Sequence, residues 1–153
     1  MKKLLFIILL SRGILGSICL AEDACPRTIP AVDSPSQLAN HWYGSESLAA
    51  QLPGNGVWPS TAPGALIAAK LFWRSTGFRP GMESSLDVTV KPLKGARASA
   101  VVVGNTNAYA ESLGGWTMLT GIDFRMAGCW EITSRYLGQE LRFVVETVES
   151  ASP

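Results

Sequence analysis

The chain has 153 residues, with 13 Lys and Arg against 12 Asp and Glu, one His and three Cys. That length suits one compact domain with a leader rather than two ordinary domains. The charged fraction of 16% and the hydrophobic fraction of 47% exclude a disordered polyampholyte, a coiled coil and a collagen-like repeat, and one His with three Cys excludes a multi-histidine metal site or two CxxC clusters.

Residues 1–21 read as a secretory signal peptide. Lys2 and Lys3 form a basic start, Leu4 to Leu10 are apolar, and Cys19-Leu20-Ala21 places small residues at −3 and −1 of a cut after Ala21. A permanent transmembrane helix needs about 20 mostly apolar residues, and Arg12 near the middle costs roughly 2.5–3.5 kcal/mol there. No stable membrane insertion is therefore expected after cleavage. Ile18 before Cys19 is larger than a lipid-attachment site wants. Removing Lys2, Lys3 and Arg12 leaves ten bases against twelve acids, a net charge of −2. The remaining bases are scattered apart from the loose group Lys91, Lys94 and Arg97, which speaks against a nucleic-acid partner.

Cleavage leaves Cys25 and Cys129, and in an oxidising compartment a disulfide between them is expected. Residues 22–40 follow as an extended lead-in, with Pro26, Pro30 and Pro35 and no helical period. The domain proper is placed at residues 41–148. Ser45 to Leu52 is too short to decide between helix and strand; Pro53-Gly54-Asn55-Gly56 is a turn, and Pro59 and Pro63-Gly64 mark a loop. Leu66 to Trp73 is a continuous apolar run that suits a buried strand. Leu86 to Lys91 alternates, with Leu86, Val88 and Val90 inward.

Ala98 to Val103 is a further strand, and Gly104 to Asn107 is expected to form the next loop. Trp116, Met118, Thr120, Ile122 and Phe124 alternate, with Gly121 a possible bulge. The last two strands put Trp130, Ile132 and Tyr136, then Leu141, Phe143 and Val145, on one face, joined through Leu137 to Glu140 as a hairpin. Trp116 and Trp130 are expected in the core. Residues 149–153 form a tail. Many short strands without an amphipathic helix of useful length predict an all-β, antiparallel β-sandwich or barrel. Cys129 falls on the polar face of its strand, so its disulfide would fasten the lead-in outside the sandwich.

Cys25, Pro26, Thr28 and Pro30 at one end, and Gly128-Cys129-Trp130-Glu131-Ile132-Thr133 at the other, resemble a group of uncharacterised exported bacterial proteins. Trp42-Tyr43-Gly44, Gly56 with Trp58, and Lys70 with Trp73 extend the likeness. The resemblance implies an immunoglobulin-like sandwich and carries no catalytic residue.

Catalytic chemistry has little to work with. His41 is the lone histidine and serves no Gly-x-Ser-x-Gly elbow, and Gly44-Ser45-Glu46-Ser47 beside it reads as a polar turn. Gly54-Asn55-Gly56 lacks the Lys and helix of a phosphate loop. His41 with Met82, Met118 and Met126 offers only a weak copper set. No catalytic residue, metal site or cofactor is assigned. The expectation is a non-enzymatic interaction or structural module, periplasmic or extracellular, with a protein or glycan partner at the cell envelope. A carbohydrate-binding module is the alternative, with Trp42, Tyr43, Trp58 and Trp73 beside Gly/Pro loops as candidate binding residues.

Overall fold

The computed structural model describes residues 24–30, 41–62, 64–93 and 99–150. The proposed signal peptide, most of the lead-in and the end of the tail lie outside the described residues. Nine strands follow in order: β1 (Trp42–Ser45), β2 (Leu48–Gln51), β3 (Val57–Pro59), β4 (Ile67–Arg74), β5 (Asp87–Pro92), β6 (Ala100–Ala110), β7 (Gly115–Phe124), β8 (Gly128–Tyr136) and β9 (Gln139–Val148). Ser45 to Leu52 is thereby resolved as the last residue of β1, a two-residue turn and the strand β2.

The strands form a five-stranded sheet in the order β1-β2-β4-β7-β6 and a four-stranded sheet in the order β3-β9-β8-β5. Every pairing is antiparallel except that of β3 with β9. With β2, β4, β5, β6, β7, β8 and β9 lettered A to G in chain order, the sheets read A-B-E-D and C-F-G, the arrangement of an immunoglobulin-like sandwich. The β1–β2 hairpin widens the first sheet, and β3 crosses over to lie beside the last strand.

Alternating strands give each sheet one inner face, and the two inner faces make the core. Leu71, Trp73, Met118, Ile122 and Phe124 come from the first sheet; Trp130, Ile132, Tyr136, Phe143 and Val145 come from the second. Trp130 packs on Phe124 with ring centroids 5.1 Å apart. Its indole Nε1 donates to the Thr147 hydroxyl at 2.9 Å, and that hydroxyl in turn donates to the Met126 carbonyl at 3.2 Å. The polar atom of this core ring is therefore satisfied, whereas the equally buried Trp73 has its indole Nε1 without a hydrogen-bond partner among the described residues.

Three expectations are corrected. First, the run Leu66 to Trp73 is not buried on both faces: β4 alternates, with Ile67, Ala69, Leu71 and Trp73 inward and Ala68, Lys70 and Arg74 outward, while Leu66 precedes the strand and is exposed. Second, Gly104 to Asn107 is not a loop. β6 continues through it, and the register shift lies between Val103 and Asn105, opposite Gly121, so the bulge falls on the partner of the strand where it was expected. Asn105 and Asn107 use their side-chain amides to hold the carbonyls of Leu86 and Met82. Third, Trp116 shares the parity of Met118 yet is 49% exposed, because it lies at the start of β7, where the sheet projects beyond the packed core.

The β8–β9 hairpin closes through Leu137 and Gly138, both at positive φ, the signature of a two-residue type I′ turn. Cys25 is bonded to Cys129 across a sequence separation of 104, with Cα atoms 5.5 Å apart. The segment after Cys25 runs as a strap along β9. The Thr28 amide donates to the Val144 carbonyl at 2.8 Å, the Val144 amide donates to the Thr28 hydroxyl at 3.0 Å, and Arg27 meets Glu146 at 3.3 Å. Gly56 sits under this strap at φ +67, where a Cβ would come within 2.9 Å of the Thr28 carbonyl oxygen. Only glycine fits both the conformation and the gap.

Candidate functional site

Four connections gather at one end of the sandwich: the β1–β2 turn, the β4–β5 loop, the 3-10 turn Glu111–Leu113 between β6 and β7, and the β8–β9 turn. They are tied together. The Thr76 amide donates to the Glu46 carbonyl at 2.9 Å, and the Ser47 hydroxyl reaches the Gln139 side chain at 3.4 Å. Arg79 donates to the carbonyls of Thr76 and Phe78 at 2.7 and 2.9 Å, which sets the course of the β4–β5 loop. Gly44-Ser45-Glu46-Ser47 is, as expected, a polar turn, its two hydroxyls 2.7 Å apart.

Against this loop cluster lies an open groove of about 630 Å³, walled by Trp42, Ala49, Arg74, Phe78, Pro80 and Trp116, with Ser45, Glu46 and Thr76 on its polar side. That volume is in the roughly 300–1,000 Å³ range of small-ligand sites. The register explains the geometry. Trp42 pairs with Gln51, Gly44 with Ala49, and Ala49 with Arg74, so the outward side chain between Arg74 and β1 is only a methyl group and the next position carries none. Arg74 therefore lies across the sheet, with its guanidinium carbon 3.8 Å from the centre of the Trp42 ring.

A Cβ on Gly44, at φ +120, would meet the Leu48 carbonyl oxygen; this position admits no side chain, and the gap beside Arg74 is fixed by the backbone. Such a cation–π contact is worth about 0.5–1 kcal/mol near a surface. Partial burial holds the Arg74 guanidinium below its ordinary pKa, without discharging it. Among the described residues Arg74 has no carboxylate within ion-pair distance, whereas Arg27 and Arg135 each have one and Arg142 has two. On the other side of the groove Trp116 is steadied by Tyr109, edge to face with centroids 5.6 Å apart.

The four rings singled out from the sequence do not form one platform. Trp73 is 0% exposed and packs on Phe143 in the core. Tyr43 faces inward against Phe143. Trp58 packs on Phe124 at the far end of β7, away from the groove. Trp42 alone lines the groove, joined by Arg74 and Trp116, which the sequence did not mark. Alternation with Met118 pointed Trp116 inward; the Gly114-Gly115 pair just before it was the available sign that the strand starts outside the core.

His41 lies against Gly54, Met118 is buried, and Met82 and Met126 are exposed; among the described residues no three His, Cys, Asp or Glu side chains gather as a metal set. No described helix is long and apolar enough to cross a membrane. A shallower hollow of about 200 Å³ lies beside the bulge, over Lys70, Val103 and Leu119. No protein-family model matches the chain, and no curated protein or solved structure does either.

Proposed function

We propose that the chain is an exported, non-enzymatic immunoglobulin-like module that presents the groove between Trp42, Arg74 and Trp116 to a partner at the cell envelope or outside the cell. The observation that carries this reading is a guanidinium without a carboxylate partner among the described residues, stacked on one indole and flanked by another in a concave, solvent-open wall. Free charge beside aromatic surface is the composition of recognition sites rather than of an inert surface. The Cys25–Cys129 bond suits an oxidising compartment, and the basic and apolar start of the chain supports export. The resemblance to exported bacterial proteins points the same way.

The test is retention of envelope components on immobilised native protein, compared with a variant carrying both Arg74→Gln and Trp116→Ala. A glycan or protein held by the native groove and released by the variant is the expected result. Equal retention by both would remove the groove from the function. Fractionation of cells tests export, which requires the mature chain outside the cytoplasm.

A further inference from the structure

Resting on that reading of the groove, we infer that its ligand is an acidic sugar: a pyranose carrying one carboxylate, with the carboxylate on Arg74 and an apolar face of the ring on Trp116. The Arg74 guanidinium lies over the Trp42 ring, and a guanidinium held by its flat face presents its in-plane N–H groups to a ligand. Those donors form the planar fork that binds a carboxylate through two parallel hydrogen bonds. The small residues Gly44 and Ala49 and the stack on Trp42 fix where that fork lies, so little side-chain freedom is lost when an anion docks.

Trp116 offers a half-exposed indole with Tyr109 packed T-shaped against it, an aromatic surface suited to the C–H face of a sugar ring. Glu46 and Thr76 supply acceptors and a donor for ring hydroxyls. The same residues disfavour other ligands. A neutral sugar would make no charge-assisted pair of hydrogen bonds with the guanidinium and so would bind more weakly than an acid. A peptide adding to the open edge of β1 would not reach Trp116, which lies on β7 across β2 and β4.

The experiment is a calorimetric titration of the native, disulfide-bonded protein with a galacturonic acid oligomer and with its methyl ester, which has the same rings without the charge. The acid is expected to bind and the ester to bind at least about tenfold more weakly. Arg74→Gln should weaken binding of the acid by about tenfold or more and erase the difference between acid and ester. Arg74→Lys should keep part of it, because it keeps charge without the fork. Trp116→Ala should weaken acid and ester alike. Both side chains reach solvent, and thermal melts of the variants confirm that the fold is intact. Equal binding of acid and ester, or unchanged binding by Arg74→Gln, overturns the assignment. So does an absence of acid binding at millimolar concentration. If the envelope experiment still shows groove-dependent retention in that case, the module stands and the sugar alone is lost. Retention of a peptide with a free carboxylate has the same meaning.

Discussion

Replacing Cys25 with Ser removes the bond that closes the largest loop in the molecule, and its effect can be worked from two parts of the structure. The two cysteines are 104 positions apart, and a loop near 100 residues restricts the unfolded chain by about 4.7 kcal/mol in the chain-entropy model. The folded side offsets some of this. Once cut, the strap is held mainly by the Thr28–Val144 hydrogen bonds, each worth about 1 kcal/mol net, and by the exposed Arg27–Glu146 pair, worth about 0–1 kcal/mol. Against these stands about 1–2 kcal/mol of backbone entropy for each residue kept in place, so the strap detaches and the folded state gains freedom.

The expected loss is therefore below the loop term, about 3 kcal/mol, or roughly 11–13 °C in Tm for a domain of this size. The assay is urea unfolding followed by tryptophan fluorescence without reductant. Extrapolated free energies are compared rather than midpoints, because an uncrosslinked unfolded chain exposes more surface and raises the denaturant slope. A loss below about 1 kcal/mol would refute the loop-entropy argument. Reactive thiols at Cys25 and Cys129 in the denatured native protein would refute the bond itself.

Tyr136 is buried and its hydroxyl has no hydrogen-bond partner among the described residues. Tyr136→Phe should accordingly leave stability unchanged or raise it by up to about 1 kcal/mol in the same assay, since a desolvated, unpaired group is removed; a loss above about 1 kcal/mol would mean that the hydroxyl is bonded in solution. Glu140 has its carboxyl held below the usual range, first by the hydrogen bond from Arg135 and then by the charges of Arg135 and Arg142. A carboxyl with a depressed folded pKa contributes stability above its unfolded value, near 4.5, and loses it as pH falls through the folded value. Glu140→Gln should thus flatten the decline in stability below that pH, as measured by thermal melts across the acid range; an unchanged slope would show that the pair contributes nothing in solution.

Much of the sandwich was legible because alternation is a one-dimensional signal. Leu86, Val88 and Val90, or Leu141, Phe143 and Val145, declare an inner face by themselves. β4 misled for a local reason: Ala68 is small enough to be tolerated facing outward, and Phe72 is half-covered there, so the run of apolar letters hid a two-faced strand. The Gly104–Asn107 segment carries turn residues, yet these serve a bulge and bonds to the β4–β5 loop, a tertiary use that no local window contains. The disulfide followed from there being two cysteines after the expected leader. The groove did not, since it depends on which side chains the register places across three strands: Gly44 and Ala49 matter there by being small. The resemblance expected an immunoglobulin-like arrangement, and the sheet order bears out that fold.

The parallel pairing of β3 with β9 has a consequence for biosynthesis. Val57 meets Glu146 and Pro59 meets Val148, so an early strand finds its neighbour only when the last one has been made. A nascent chain that has not reached Cys129 leaves Cys25 without its partner, and one that has not reached Val148 leaves β3 without the full length of β9. Long-range closures of this kind form slowly and leave apolar surface uncovered in the meantime. Completion of β9, rather than of the strands before it, closes this edge of the second sheet, and trimming its last residues should lower stability in the same urea unfolding assay.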